Sequence, residues 1–198
     1  SADRQVDHKY AILRNQQHKT DENARKLIKL IIEFFENNFD MTLMRKSFNF
    51  ASFAHGYSGV LTSVMCMYKI KKSSKTKSLI LELYRAEETL HENGFLWKDM
   101  RRKKTQYSHY WCHGSLGIMY SRLIWKMLNL TDGIDTEISA STFALEEYKK
   151  QITLGSLDSQ NYSLCHGNFA FVDFLISYKK IFGNDQKISD YISKTKNN

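Results

Sequence analysis

Trp111-Cys112-His113-Gly114-Ser115-Leu116-Gly117 decides how the rest of this chain is read. From Leu116 onward apolar residues return at Met119/Tyr120, Leu123/Ile124 and Met127/Leu128, the i, i+3, i+4, i+7 spacing of one helical face. The stretch is a loop that ends in His-Gly and opens directly into an apolar helix. Glycine at that joint relieves steric limits on the backbone and lets the chain turn sharply.

Two other stretches align with it. Phe53-Ala54-His55-Gly56-Tyr57-Ser58-Gly59 precedes it and Leu164-Cys165-His166-Gly167-Asn168-Phe169-Ala170 follows it. His55 and His113 stand 58 residues apart (113 minus 55), and His113 and His166 stand 53 apart (166 minus 113). A period of about 55 residues holds two helices of roughly 15–20 residues with their loops, so each unit predicts a helical hairpin. Leu61, Val64, Met65 and Tyr68 keep helical spacing, as do Leu79, Leu83, Ala86 and Leu90, and Phe171, Phe174/Leu175, Tyr178 and Ile181/Phe182. Residues 27–39 are apolar on nearly every face, which predicts a helix wedged between neighbours. Thr20-Asp21 suits an N-cap, and Asp132-Gly133 and Gly183-Asn184 suit helix stops. Convincing strand alternation is absent, and so is proline. The fold class is all-α.

If such hairpins stack with their apolar helices side by side, the repeated loops line up along one rim. Ala54, Cys112 and Cys165 are then equivalent, as are His55, His113 and His166. Cys66 stands apart from them in the apolar run Val64-Met65-Cys66-Met67 and is read as core. Two thiolates and one imidazole make a Cys₂His set for zinc with a fourth position open, the arrangement of a catalytic rather than a closed structural site. The residues alone do not choose which of the three histidines is the ligand. The plainer alternative has the histidines bonding loop backbone and the cysteines filling small apolar gaps.

Composition sets the surroundings of that rim. The 198 residues are 42% hydrophobic and 25% charged, as in ordinary soluble domains. No stretch approaches the roughly 18 apolar residues of a membrane helix, and the polar N-terminus lacks a signal-peptide core. The expectation is a cytoplasmic chain with no membrane insertion. The net charge of +8 suits an acidic partner. Basic residues cluster at 69–77 and 101–104 rather than along one arm or stripe, so an acidic peptide fits the charge as well as nucleic acid does, and no nucleic-acid partner is expected. A nucleic-acid binder would instead weaken steeply with salt and ignore zinc.

The three His-Gly motifs resemble the signature motifs of the lanthionine synthetase C-like cyclases, in the family's order and at about its separation. The Trp-Cys-His-Gly form is most similar to the cyclase domain of the bifunctional class II synthetases. The resemblance spans residues 20–183. It implies an α/α toroid of helical hairpins with zinc at its mouth, adding peptide cysteine thiols to dehydroalanine or dehydrobutyrine to form (methyl)lanthionine. It also implies that Cys112, Cys165 and His166 bind zinc, that His55 is the acid/base beside it, and that His113 lines the pocket. Trp111 is read as packing. The partner implied is a dehydrated precursor peptide with an acidic leader. Residues 1–198 would be one segment, about half, of a complete cyclase domain, with early and closing hairpins contributed by the remaining segments of the same synthetase. A related glutathione-adding protein and a non-catalytic, zinc-stabilised peptide-binding module are the alternatives. Two departures stand out: Ala170 replaces the glycine found at the same place in the other two motifs, and Ser108 and His109 stand where some members carry arginine.

Overall fold

A computed structural model describes the backbone of residues 2–47, 50–100, 107–130, 135–157 and 161–196, and the side chains of 19–46, 50–100, 107–130, 143–157 and 161–195. Residues 101–104 and Asp132-Gly133 lie outside the described residues. The chain divides into two units, Ser1–Phe39 and Asp40–Asn198.

The first unit is one helix, α1 (Ala2–Asn38). It runs straight through Thr20-Asp21, so the N-cap expected there is absent. No glycine or proline interrupts residues 2–38, and Glu22 pairs with Lys26 one turn on at 2.9 Å. Good helix formers on both sides outweigh a local capping signal. The wedged helix is also corrected. Ile32 is buried and Phe35 and Phe39 are half-buried, their rings 4.7 Å apart. Leu27, Leu30, Ile31 and Phe34 share the opposite face at helical spacing, and all four are exposed.

In the second unit come α2 (Met41–Ser47), α3 (Tyr57–Ile70), α4 (Ser74–Glu88), β1 (His91–Asn93), β2 (Leu96–Trp97), α5 (Ser115–Leu128), α6 (Asp135–Thr153), α7 (Asn168–Phe182) and α8 (Gln186–Lys196). The all-α reading holds, with one short antiparallel ribbon among the described residues that it missed. Asn93-Gly94, with Gly94 at φ 54°, is the hairpin signal that was available.

Each His-Gly pair is followed at once by the apolar helix of its hairpin. Helix α3 packs on α4 and α5, α5 on α6 and α7, and α7 on α8. Leu61, Val64 and Met65 of α3, Leu116, Met119 and Leu123 of α5, and Phe171, Phe174 and Leu175 of α7 are all buried. Each such side chain contributes roughly 1.5–3 kcal/mol by leaving water. Cys66 is not core: it is exposed. Leu61, Val64, Met65 and Tyr68 occupy the buried stripe of α3, and position 66 falls outside it.

Capping sets the helix ends. Asp40 accepts from the N–H groups of Thr42 and Leu43 at 2.7 and 3.2 Å, and those bonds hold its carboxyl below the usual value. Ser73 accepts from Thr76 N–H at 3.1 Å to start α4. Gly183, at φ 98°, closes α7 as its sequence suggests.

One polar cluster crosses the hairpins. Glu87 is fully buried, bonded by Ser58 and by Arg122 Nη2, which also donates to Glu88 at 3.1 Å. Burial raises the Glu87 carboxyl above its usual range despite the guanidinium beside it. Glu88 is pulled up by burial too, yet its bond from His91 and the Arg122 charge hold it below its usual value.

Candidate metal centre

The rim is assembled by backbone hydrogen bonds between successive loops. Ala54 N–H donates to the Cys112 carbonyl at 3.2 Å, and Trp111 N–H donates to the Cys165 carbonyl at 3.0 Å. Each loop also closes on itself. Tyr57, Ser115 and Asn168, the first residues of α3, α5 and α7, donate to the carbonyls of Phe50, Ser108 and Asn161 at 2.8, 2.9 and 2.8 Å. These bonds serve helix N-termini that have no side-chain cap.

That closure explains the glycines. A Cβ on Gly56, Gly114 or Gly167 would stand 2.0, 2.3 or 2.0 Å from the carbonyl oxygen of Phe50, Ser108 or Asn161. Their φ angles of −151°, −171° and −140° are extended. Glycine is needed for clearance between backbones, not for an unusual dihedral. In the third loop Ala170 stands at the position of the second glycine, and its N–H donates to the Gly167 carbonyl at 3.0 Å. Trp111 packs on Phe53, ring centroids 5.1 Å apart, as a packing residue should.

The loops bring two thiols and one imidazole together. Single ligand atoms of Cys112, Cys165 and His166 all lie within 4.8 Å of one another. His166 Nε2 is 3.2 Å from Cys112 Sγ and 3.7 Å from Cys165 Sγ. A tetrahedral zinc, with Zn–S of about 2.3 Å and Zn–N of about 2.0 Å, separates sulfur from nitrogen by about 3.5 Å, so the donor set fits. None of the three cysteines forms a disulfide. The cluster could therefore hold a metal ion.

The other two histidines sit differently. His113 Nδ1 lies 2.7 Å from Cys112 Sγ. His113 also borders a cavity of about 20 Å³ with Ser52, Trp97, Asp99 and Met100, room for about one water. His55 is exposed on the loop that is bonded to Cys112 through Ala54. His109 lies on the Cys112 loop, and burial holds its imidazole below the usual value.

Tyr110 escaped the reading of the sequence. Its ring meets His113 edge-on at 5.1 Å and His166 at 4.9 Å, and those two imidazoles are 5.3 Å apart. One half-exposed phenol thus steadies histidines from two loops. Only its place two residues before Cys112 hinted at this.

The model of the lanthionine synthetase C-like protein family matches residues 9–198. The chain belongs to that family. The match is wider than the span of residues 20–183 covered by the motifs and their flanking helices. Among curated proteins, the chain is 31% identical over 137 residues to the lacticin 481/lactococcin biosynthesis protein LcnDR2 of Lactococcus lactis subsp. lactis. That alignment covers 68% of this chain and 15% of the relative. No solved structure matches. No helix among the described residues is long and apolar enough to cross a membrane.

Proposed function

We propose that this chain carries the catalytic rim of a lanthipeptide cyclase, which adds cysteine thiols of a dehydrated precursor peptide to dehydroalanine or dehydrobutyrine and forms (methyl)lanthionine rings. The observation that carries the reading is the convergence of Cys112, Cys165 and His166 from consecutive repeat loops, in a member of the lanthionine synthetase C-like family. Similarity to a lacticin 481/lactococcin biosynthesis protein points the same way. The hairpins are read as consecutive members of an α/α toroid within a cyclase domain.

Cys112, Cys165 and His166 are the residues that would hold zinc, leaving one position free. Zinc bound there would supply Lewis acidity, bringing a thiol of ordinary pKa about 8.5 to its thiolate at neutral pH. His113, with Nδ1 at Cys112 Sγ, orients that thiol side chain, and Tyr110 steadies both imidazoles. The substrate thiolate attacks the β-carbon of the dehydroamino acid. A carbon–sulfur bond forms as the π pair moves to the α-carbon, and a proton must then reach that carbon. His55 delivers it, from an exposed loop next to the Cys112 loop. The proton lost by the thiol balances the one gained by carbon. The +8 charge supports an acidic leader on the peptide.

The test is a cyclisation assay on a dehydrated precursor peptide by the complete enzyme, with thioether formation followed by mass spectrometry and glutathione supplied in a parallel arm. Intramolecular rings formed in a zinc-dependent way support the reading. Glutathione adducts without rings would move the chain to small-thiol addition, and unaltered turnover after removal of the metal would defeat the zinc chemistry.

A further inference from the structure

The end of the hairpins away from the cysteine loops is basic. Glu82 is the first acid after Asp40, and no acid stands between Asp99 and Asp132. Helices α3 and α5 lie in those stretches and lead away from the rim. Their far ends meet, since Lys69 Nζ donates to the Leu128 carbonyl at 3.0 Å. Lys69, Lys72, Lys75 and Lys126 are exposed there, and Lys71 and Lys77 are half-buried. The acids that follow α5 in the chain, Asp132, Asp135 and Glu137, set three carboxylates against six lysines.

Two of these charges oppose the electrostatics of the fold. Lys69 and Lys126 stand in the last turns of α3 and α5, where the helix macrodipole favours cations. Lys75 and Lys77 stand in the first turn of α4, which holds no acid. The macrodipole is positive at that end and disfavours them. Stability favours carboxylates at such a turn, and departures from local preference concentrate at functional surfaces.

Neighbouring side chains narrow the partner. Ile70 and Met127, next to Lys69 and Lys126 in the chain, are 55% and 60% exposed. Tyr68 and Trp125, the aromatic residues on the other side of those lysines, are buried. They offer no platform on which unpaired bases could stack. Aliphatic groups among cations suit a peptide that mixes acidic and apolar residues.

We propose that this end of the hairpins docks an acidic, partly apolar segment of the peptide substrate. Its carboxylates lie against Lys69, Lys72, Lys75 and Lys126, and its apolar side chains against Ile70 and Met127. The assignment deepens the cyclase reading and rests on it for the presence of a peptide. Helix α3 has 14 residues, which at a rise of 1.5 Å sets this surface about 20 Å from the cysteine loops. An extended chain covers that distance in about six residues, so the acidic segment lies at least that far from the reacting cysteine.

The test is fluorescence anisotropy of the purified full chain with a short labelled peptide of repeating Glu-Leu-Glu-Gln, at low salt and with EDTA. The peptide should bind saturably and weaken with added salt. Lys72→Glu, Lys75→Glu and Lys77→Glu together should weaken it about tenfold or more. That variant should melt no lower than the parent chain, because glutamate suits the first turn of α4. Lys150→Glu, Lys187→Glu and Lys194→Glu, at exposed positions of α6 and α8, change the net charge equally. They should shift binding less than about twofold, since screening confines such effects to near neighbours. If the first variant does not fold, Lys72→Gln with Lys75→Gln carries the test, and binding should fall severalfold. Equal losses from both charge-reversed sets would make net charge the cause and overturn the proposal. So would a lack of saturable binding, or tighter binding of phosphatidylserine vesicles or oligouridylate through the same lysines. The probe has no dehydrated residue and the buffer no metal, so this outcome is independent of the cyclisation assay.

Discussion

Trp111 donates its backbone N–H to the carbonyl oxygen of Cys165 at 3.0 Å, tying together the two loops whose thiols approach the same imidazole. The cluster of Cys112, Cys165 and His166 is thus held by main chain as well as by side chains, and variants can separate the two contributions.

Losing either thiol should strip the metal. Cys112→Ala and Cys165→Ala are expected to purify with little zinc, whereas Cys66→Ala, altered at an exposed position of α3, should keep it. Structural zinc in small peptides is worth about 10–16 kcal/mol, so a lost thiolate is felt strongly in retention. Metal analysis by plasma mass spectrometry decides it; full occupancy in either rim variant would remove that cysteine from the ligand set.

Gly114→Ala should damage the rim without touching a ligand. The new methyl would stand 2.3 Å from the Ser108 carbonyl oxygen, inside contact distance of rigid backbone. Overpacking of this kind costs about 1–3 kcal/mol. Urea unfolding should show that loss, together with weakened zinc retention. Gly94→Ala, where a methyl meets open space and only the φ of 54° resists, should spare the metal. Equal stability of Gly114→Ala and the parent chain would contradict the close approach.

The buried pair should respond asymmetrically. Arg122→Met leaves Glu87 buried without its guanidinium, and breaking such a pair costs about 3–5 kcal/mol. Glu87→Leu combined with Arg122→Met should recover much of that, because neither charge then remains inside. A double-mutant cycle by chemical denaturation measures the coupling. Additive losses would mean the pair does not act as one.

His91 sets a pH dependence. Its bond to Glu88 raises its pKa above the ordinary 6.5, with burial opposing. The folded state therefore binds the proton more tightly than the unfolded one. The stabilisation is complete below about 6.5 and is lost as pH rises through the elevated folded value. Stability measured from pH 6 to 8 should fall more steeply in the parent chain than in His91→Gln. Parallel curves would show that the pair contributes nothing.

His55→Asn in the complete enzyme should keep zinc and fold but lose cyclisation by about 10²–10⁴-fold, the usual worth of general acid–base help. If zinc is lost instead, His55 is a ligand; if the rate is unchanged, His113 is the next candidate for the acid.

Much of this was legible in the chain because it is periodic. Helical spacing after each His-Gly marks α3, α5 and α7, and equal motif positions mark Cys112 and Cys165 as neighbours on one rim. The errors came where local signals compete with context. Thr20-Asp21 is a good cap in isolation, but helix formers on both sides carry α1 through it. Cys66 lies in an apolar run, yet only its angular position about α3 decides its exposure.

The sequence by itself determined the helical class, the hairpin repeat and the candidate donors, since each follows from residue type and spacing along the chain. Which histidine joins the two sulfurs was a matter for tertiary structure. His55, His113 and His166 are equivalent by position, and hydrogen bonds between loops set Nε2 of His166 against both thiols while His113 meets one. The same holds for the meeting of Glu87 with Arg122 and for the grip of Tyr110 on two imidazoles. Those contacts join residues far apart in the chain, or in different loops, and no periodicity encodes the distance between them.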